Sequence, residues 1–204
     1  RLRQGAPRAY LERLAAQDRP QHLRAWLQRR AAHIAAELRP PRTQPAAWAW
    51  KEPNTHVVVD RILRLEPRLR YVHVMRNGLD MAFSANQNQL MLWGPTFLGR
   101  QVERTPADSL SYWCAAHRRV ERIAADFPGR VTFVNYDAFC KEPETHLTEL
   151  LRFLNVDFDA SAVARLSELV QPPSSIGRHS KTDRSVFRQD DLSYVSQLGF
   201  QIGA

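Results

Sequence analysis

The sequence predicts an α/β domain, a parallel β-sheet flanked by helices, in the arrangement of P-loop NTPase-like folds. Three observations carry the prediction. Two short runs, Tyr71-Val72-His73-Val74-Met75 and Val131-Thr132-Phe133-Val134-Asn135, have the β-branched and aromatic content of buried strands. Between and after them lie longer segments whose apolar residues recur at helical spacing. Parallel strands need such helical crossovers, and the chain supplies them in the right order. Neither an internal repeat nor a low-complexity tract interrupts the chain, so one domain over residues 1–204 is expected.

Residues 7 to 38 read as helical, with Leu23, Trp26, Leu27, Ala31, Ile34, Ala35 and Leu38 on one stripe. Pro20 suits a helix start, and Pro40, Pro41 and Pro45 form a break. Ala47 to Lys51 (A-W-A-W-K) is a strand candidate stopped at Pro53, and Val57 to Leu65 reads as a helix. After the strand Tyr71 to Met75, Asn77-Gly78-Leu79-Asp80 opens a helix expected to run through Ser84 to about Leu90. Trp93 to Arg104, with Gly94, Pro95 and Gly99, reads as a loop, and Trp93 there as a candidate lining for an acceptor pocket. Pro106 to Asp126 is a long amphipathic helix. The strand Val131 to Asn135 follows a Pro-Gly turn. Pro143 to Leu154 carries Pro in its first turn and a core stripe of Leu147, Leu150, Leu151 and Leu154, with Asn155 as its cap. Residues 171 to 191 are polar and hold Arg178, Lys181, Arg184 and Arg188. A last short helix follows.

Composition removes several function classes. The 204 residues are 44% hydrophobic and 9% aromatic, which is globular rather than disordered. No apolar run approaches the roughly 20 residues of a membrane span. Cys114 and Cys140 are too few for a disulfide framework or a cysteine-built zinc site, and they read as reduced thiols of a cytoplasmic protein. The net charge is +8, and of 29 cationic residues three are lysines, Lys51, Lys141 and Lys181. None of the eight glycines opens a Gly-Lys-Ser/Thr phosphate loop. The chain starts Arg1-Leu2-Arg3-Gln4, without Met, and is expected to lack its natural beginning.

In open α/β sheets, ligands bind beyond the carboxyl ends of the strands. Lys51 ends the first strand candidate, Arg76 follows the second strand, and Tyr136-Asp137 the third. A guanidinium fixed at a strand end, with the Ser84 hydroxyl two helical turns further on, suits a dianionic phosphate.

These residues resemble a known family. Strand, Arg76, and a serine eight positions later is similar to the 3′-phosphate-binding motif of sulfotransferases. Lys51-Glu52-Pro53 after an aromatic segment resembles the Lys-acidic-Pro element of bacterial and tyrosylprotein-type members. Asn135-Tyr136-Asp137-Ala138-Phe139, Glu142-Pro143-Glu144 and the leucine-rich segment to Leu154 resemble the family's Tyr-Glu-Asp-Leu region. Ile176-Gly177-Arg178 resembles its C-terminal nucleotide-covering loop. The four matches fall in family order over about residues 48 to 180. The family's N-terminal strand–loop–helix for the 5′-phosphosulfate has no counterpart, and it is expected in the part that precedes Arg1.

The resemblance implies 3′-phosphoadenosine 5′-phosphosulfate as donor, adenosine 3′,5′-bisphosphate as product, a hydroxyl or amine acceptor, and no metal. It implies catalytic roles for Lys51, which would stabilise charge on the leaving 5′-phosphate, and for His56, which would deprotonate the acceptor. It implies cofactor contacts from Arg76, Ser84 and Arg178 to the 3′-phosphate and from Tyr136 to the adenine. His73 and His117 read as structural. Two alternatives stay open: a nucleotide kinase-like phosphotransferase, which would need Mg²⁺ and a metal-binding acid, and an arginine-rich protein that holds nucleic acid or another polyanion. The arginines are spread over every segment rather than striped with aromatics, so no nucleic-acid partner is expected.

Overall fold

The computed structural model describes residues 7–17, 23–37 and 47–203. It divides into two compact units, Arg1–Lys51 and Glu52–Ala204, where the sequence marks no boundary.

In the first unit, α1 (Pro7–Ala15) and α2 (Arg24–Glu37) pack on each other, with Ala15 and Ala31 buried. The expected stripe on α2 is mostly not core, since Leu23, Trp26 and Ile34 are exposed. The reason is its width. At 100° per residue those side chains cover about half of the helix circumference, more than one short partner helix covers. Pro20, Leu38 and the break at Pro40, Pro41 and Pro45 lie outside the described residues. Ala47–Lys51 is irregular and exposed rather than a strand, because a strand exists only when a neighbour completes its hydrogen bonds. Trp48 and Trp50 instead stack on each other, ring centroids 5.1 Å apart.

The second unit runs from a 3-10 turn at Thr55–Val57 through α3 (Val59–Leu65), β1 (Tyr71–Met75), α4 (Gly78–Ala82), α5 (Asn88–Leu98) and α6 (Pro106–Asp126) to β2 (Val131–Asn135). There follow α7 (Tyr136–Lys141), α8 (Pro143–Leu154), α9 (Ala160–Ser167), a 3-10 turn at Arg178–Lys181, and α10 (Gln189–Gln197). The two strands pair in parallel with Tyr71 opposite Val131 and Met75 opposite Asn135. This is the expected α/β arrangement. Strand β1 is buried on one face only, with His73 and Met75 buried while Val74 is 56% exposed, and β2 is half-buried throughout.

The spine is α6. Thr105 caps it by accepting from the Asp108 amide, and Pro106 occupies its first position. Its Leu110, Trp113 and Cys114 join Met75, Leu79, Tyr194, Val195 and Phe200 in one core. Ile123 packs with Val59, Leu63 and Leu69, and Tyr112 and Ala116 with Leu90. Helix α4 approaches so closely that a Cβ on Gly78 would stand 2.9 Å from Leu110 and Trp113 atoms.

Three local expectations change. The helix opened by Asn77 stops at Ala82, because Gln87 Nε2 donates to the freed carbonyls of Met81, Ala82 and Ser84. The segment read as a loop from Trp93 is helical to Leu98. Pro95 is tolerated inside α5, and Gly94 lets Leu90 and Val102 close over the backbone, so packing overrides the breakers. Trp93 is therefore a helix residue, and its Nε1–H donates to Asn54 Oδ1 at 2.8 Å. Finally, α8 forms as expected, with Asn155 in the left-handed region (φ 55°), but Leu147, Leu150 and Leu151 of its stripe are half-buried and Leu154 is exposed, so the stripe is not core.

Candidate active site at the carboxyl end of the strands

Because Met75 pairs with Asn135, residues 76–77 and 136–137 leave the sheet side by side. Both exits are turned by asparagines. Asn77 Oδ1 accepts from the Leu79 amide (2.9 Å) and its Nδ2–H donates to the Gln201 carbonyl (2.7 Å). Asn135 Oδ1 accepts from the amides of Asp137 and Ala138, both at 3.1 Å, and starts α7 at Tyr136, a helix the sequence did not announce. Short polar side chains make such turns because they replace the missing backbone partners of the first helical amides.

Arg76 donates from Nη2 to Ser175 Oγ at 2.8 Å, while its Nε is buried without a hydrogen-bond partner. Asp137 Oδ1 is a second buried atom without a partner. Burial pushes the Asp137 carboxyl up, against the opposing pull of the Asn77 amide and the Arg76 charge. The structure thus leaves one donor and one acceptor unfilled at adjacent strand ends, although native interiors normally fill both. Tyr136 stacks on Phe139 (6.3 Å, 10°), and a hydrogen bond with Cys140 raises its hydroxyl above the usual tyrosine range.

The loop after α9 closes onto this edge through Asp80 of α4, which is 2% exposed. Asp80 Oδ2 accepts from the Gly177 amide (2.7 Å), and Oδ1 accepts from the His179 amide (3.0 Å) and His179 Nδ1–H (2.7 Å). Burial pushes the Asp80 carboxyl up, but the bonds from His179 and Gly177 outweigh it and hold it below the usual range. Gly177 lies at φ 79°, where glycine is favoured. Between the two held residues, Arg178 is exposed and donates from Nη1 to the Phe83 carbonyl at 3.3 Å. The loop therefore meets Arg76 through Ser175 and reaches the residue before Ser84 through Arg178. Ser84 itself lies past the end of α4, and its Oγ accepts from the Asn86 amide at 3.3 Å. Arg76 and Ser84 flank a five-residue helix instead of sharing its face.

Lys51 is exposed at the end of the first unit. His56 is buried and engaged at both ring nitrogens: Nδ1–H donates to the Pro53 carbonyl (2.8 Å), which leaves Nε2 to accept from the Tyr112 hydroxyl (3.0 Å). Burial lowers its basicity, opposed by the Pro53 bond and reinforced by the Arg119 charge. A base role for His56 requires that an acceptor hydroxyl replace Tyr112. His73 and His117 are buried and paired with each other, with His117 Nε2 left without a partner. The Tyr71 hydroxyl and His73 Nδ1 are 3.0 Å apart, His73 Nε2 and His117 Nδ1 2.6 Å, and the His117 ring stands edge-on to Trp113.

Sequence reasoning placed Asp137 at its strand end without a role and missed Asp80, Ser175 and His179. A signal existed for two of them: Asp80 stands midway between Arg76 and Ser84, and His179 directly follows Ile176-Gly177-Arg178. Among the described residues no group of three or more side chains could hold a metal ion, and no helix is long and apolar enough to cross a membrane. Neither a curated protein nor a solved structure matches the chain. A family model described as "Sulfotransferase family" matches residues 1–160.

Proposed function

The chain belongs to the sulfotransferase family, and from that premise we propose that it moves a sulfuryl group from 3′-phosphoadenosine 5′-phosphosulfate to a hydroxyl or amine acceptor. The observation that carries the donor assignment is the unfilled Arg76 Nε at the carboxyl end of β1. A buried guanidinium N–H without a partner suits an anionic oxygen. Ser175 Oγ, which accepts from Arg76, keeps its own proton to donate to the same anion. Arg178 adds a second guanidinium from the covering loop, and Ser84 a hydroxyl beside it. Those four residues fit a 3′-phosphate. Asp137 Oδ1 is available to a donor such as a ribose hydroxyl, and the Tyr136 ring to an adenine face.

The donor supplies a sulfuryl group whose bond to the bridging oxygen breaks as the bond to the acceptor forms, the electron pair staying on the 5′-phosphate. Positioning and charge neutralisation are the protein's part in such a loose, in-line transfer. Lys51 is assigned to the charge building on the leaving phosphate, on the support of its Lys51-Glu52-Pro53 element. His56 takes the acceptor proton on Nε2 when the acceptor displaces the Tyr112 hydroxyl. The reaction as written calls for no metal.

Calorimetry with adenosine 3′,5′-bisphosphate tests the donor reading. The protein should bind it, and Arg76→Ala should weaken binding about 100-fold, the worth of two charge-assisted hydrogen bonds. Equal affinities in the two proteins would sink the assignment of Arg76.

A further inference from the structure

We propose that Asp80 and His179 form a positioning latch that holds Arg178 and Ser175 in place for the 3′-phosphate. The proposal rests on the donor reading above, and it adds two residues that do not touch the nucleotide.

The covering loop has little of its own to fix it. Residues 171–177 contain no regular element, and the 3-10 turn that follows is four residues long. Beside the bonds of Ser175 to Arg76 and of Arg178 to the Phe83 carbonyl, three bonds go to one side chain of a different element. Asp80 receives the amides on both sides of Arg178, so the Arg178 backbone cannot shift without breaking a bond to a carboxylate that is 2% exposed. Displacing either amide would strand buried charge, which is costly. The His179 ring supplies the third bond, from Nδ1–H, and is itself 5% exposed. Ser175 lies two residues before Gly177 and meets Arg76, which lies four residues before Asp80. The short segment 76–80 thus carries both the phosphate-binding guanidinium and the anchor for the loop. One rigid piece sets the distance between the two sides of the anion site, so less ordering is left for the moment of binding.

Two readouts on the whole chain test the latch. Hydrogen exchange in the ligand-free protein should show His179→Ala speeding exchange at the Gly177 amide and at the amide of position 179 by about tenfold, the worth of one charge-assisted bond. Calorimetry with adenosine 3′,5′-bisphosphate should show the same variant binding about tenfold more weakly. His179→Asn, whose side-chain N–H can replace Nδ1–H, should restore both to within about threefold. Should His179→Ala fail to fold, His179→Phe keeps the buried volume while removing the donor, and the same readouts apply. Wild-type exchange rates in the donor-less variant overturn the latch, and so does wild-type affinity alongside faster exchange. If the wild-type protein binds no nucleotide, the donor reading fails, and the exchange measurement alone decides whether Asp80 and His179 hold the loop.

Discussion

Arg130 and Arg76 stand at opposite ends of the same strand pair and are treated in opposite ways. Arg130, just before β2, is engaged inside the protein: Nε donates to the Leu69 carbonyl, and Nη2 to the carbonyls of Leu63 and Glu66, at 2.6 to 3.1 Å. It closes the end of α3, whose last carbonyls have no intrahelical partner, and it lies over the Phe127 ring. Arg76, just after β1, has one side-chain partner and a buried Nε left over. Both are arginines beside a strand, and sequence position alone does not separate them. The difference teaches that Arg130's charge is consumed inside the protein, whereas Arg76 keeps a polar atom open, as the proposed anion site requires. Arg119 falls on the Arg130 side of that division, since it binds Asp60 Oδ1 and the His56 carbonyl.

Three measurements break or sharpen this contrast. The largest effect is expected at Lys51, to which the proposed mechanism assigns the leaving phosphate. Lys51→Ala should lower the sulfuryl-transfer rate by about 10²–10³ while the nucleotide dissociation constant stays within a few-fold. A wild-type rate would remove Lys51 from the mechanism. Arg130→Ala should show the converse of Arg76→Ala: a loss of about 2 kcal/mol in unfolding free energy, from carbonyls left without a donor, with nucleotide affinity unchanged. Weaker nucleotide binding with intact stability would erase the distinction between the two ends.

The smallest effect is a slope, and it concerns the middle of the strand pair, where buried groups stay uncharged. Burial, with a further push from His56, drives the His73 pKa down to about 4 from 6.5, and burial also holds His117 well below the usual histidine value. A folded-state pKa below the unfolded one means that the unfolded chain binds more protons between pH 6.5 and 4. This contribution to stability is therefore complete above pH 6.5 and is lost as the pH falls toward 4. His73→Gln, which keeps hydrogen-bonding capacity without titrating, should reduce that slope by about 1.4 kcal/mol per pH unit. An unchanged acid transition in urea titrations would show that His73 is not buried neutral.

How much was legible in the sequence follows from the range of the forces involved. The strands at Tyr71–Met75 and Val131–Asn135 and the helices at Pro106–Asp126 and Pro143–Leu154 were readable because their signals are local: β-branched runs, amphipathic spacing, Pro143 in a first turn, Asn155 at the end. The misreadings share a cause of longer range. Trp93–Leu98 is helical despite Gly94 and Pro95 because Leu90 and Val102 pack there. The helix after Asn77 stops early because a glutamine five residues past its end takes its last carbonyls. For the site, the arginine at the strand end and the glycine–arginine loop stood out as types at a spacing. Asp80 and His179 did not, because their meaning lies in bonds between residues 99 positions apart.

By itself the sequence determined the α/β class, the family resemblance and the set of candidate cations, since each depends on residue types in local order. Only the tertiary structure decided which of those cations remains open. It occupied both nitrogens of His56 with Pro53 and Tyr112, consumed Arg130 and Arg119 on internal carbonyls and carboxylates, and left Arg76 Nε unfilled beneath a loop that Asp80 holds. The physical reason is that charge is a property of the residue, whereas the satisfaction of a buried hydrogen-bonding atom is a property of everything packed around it.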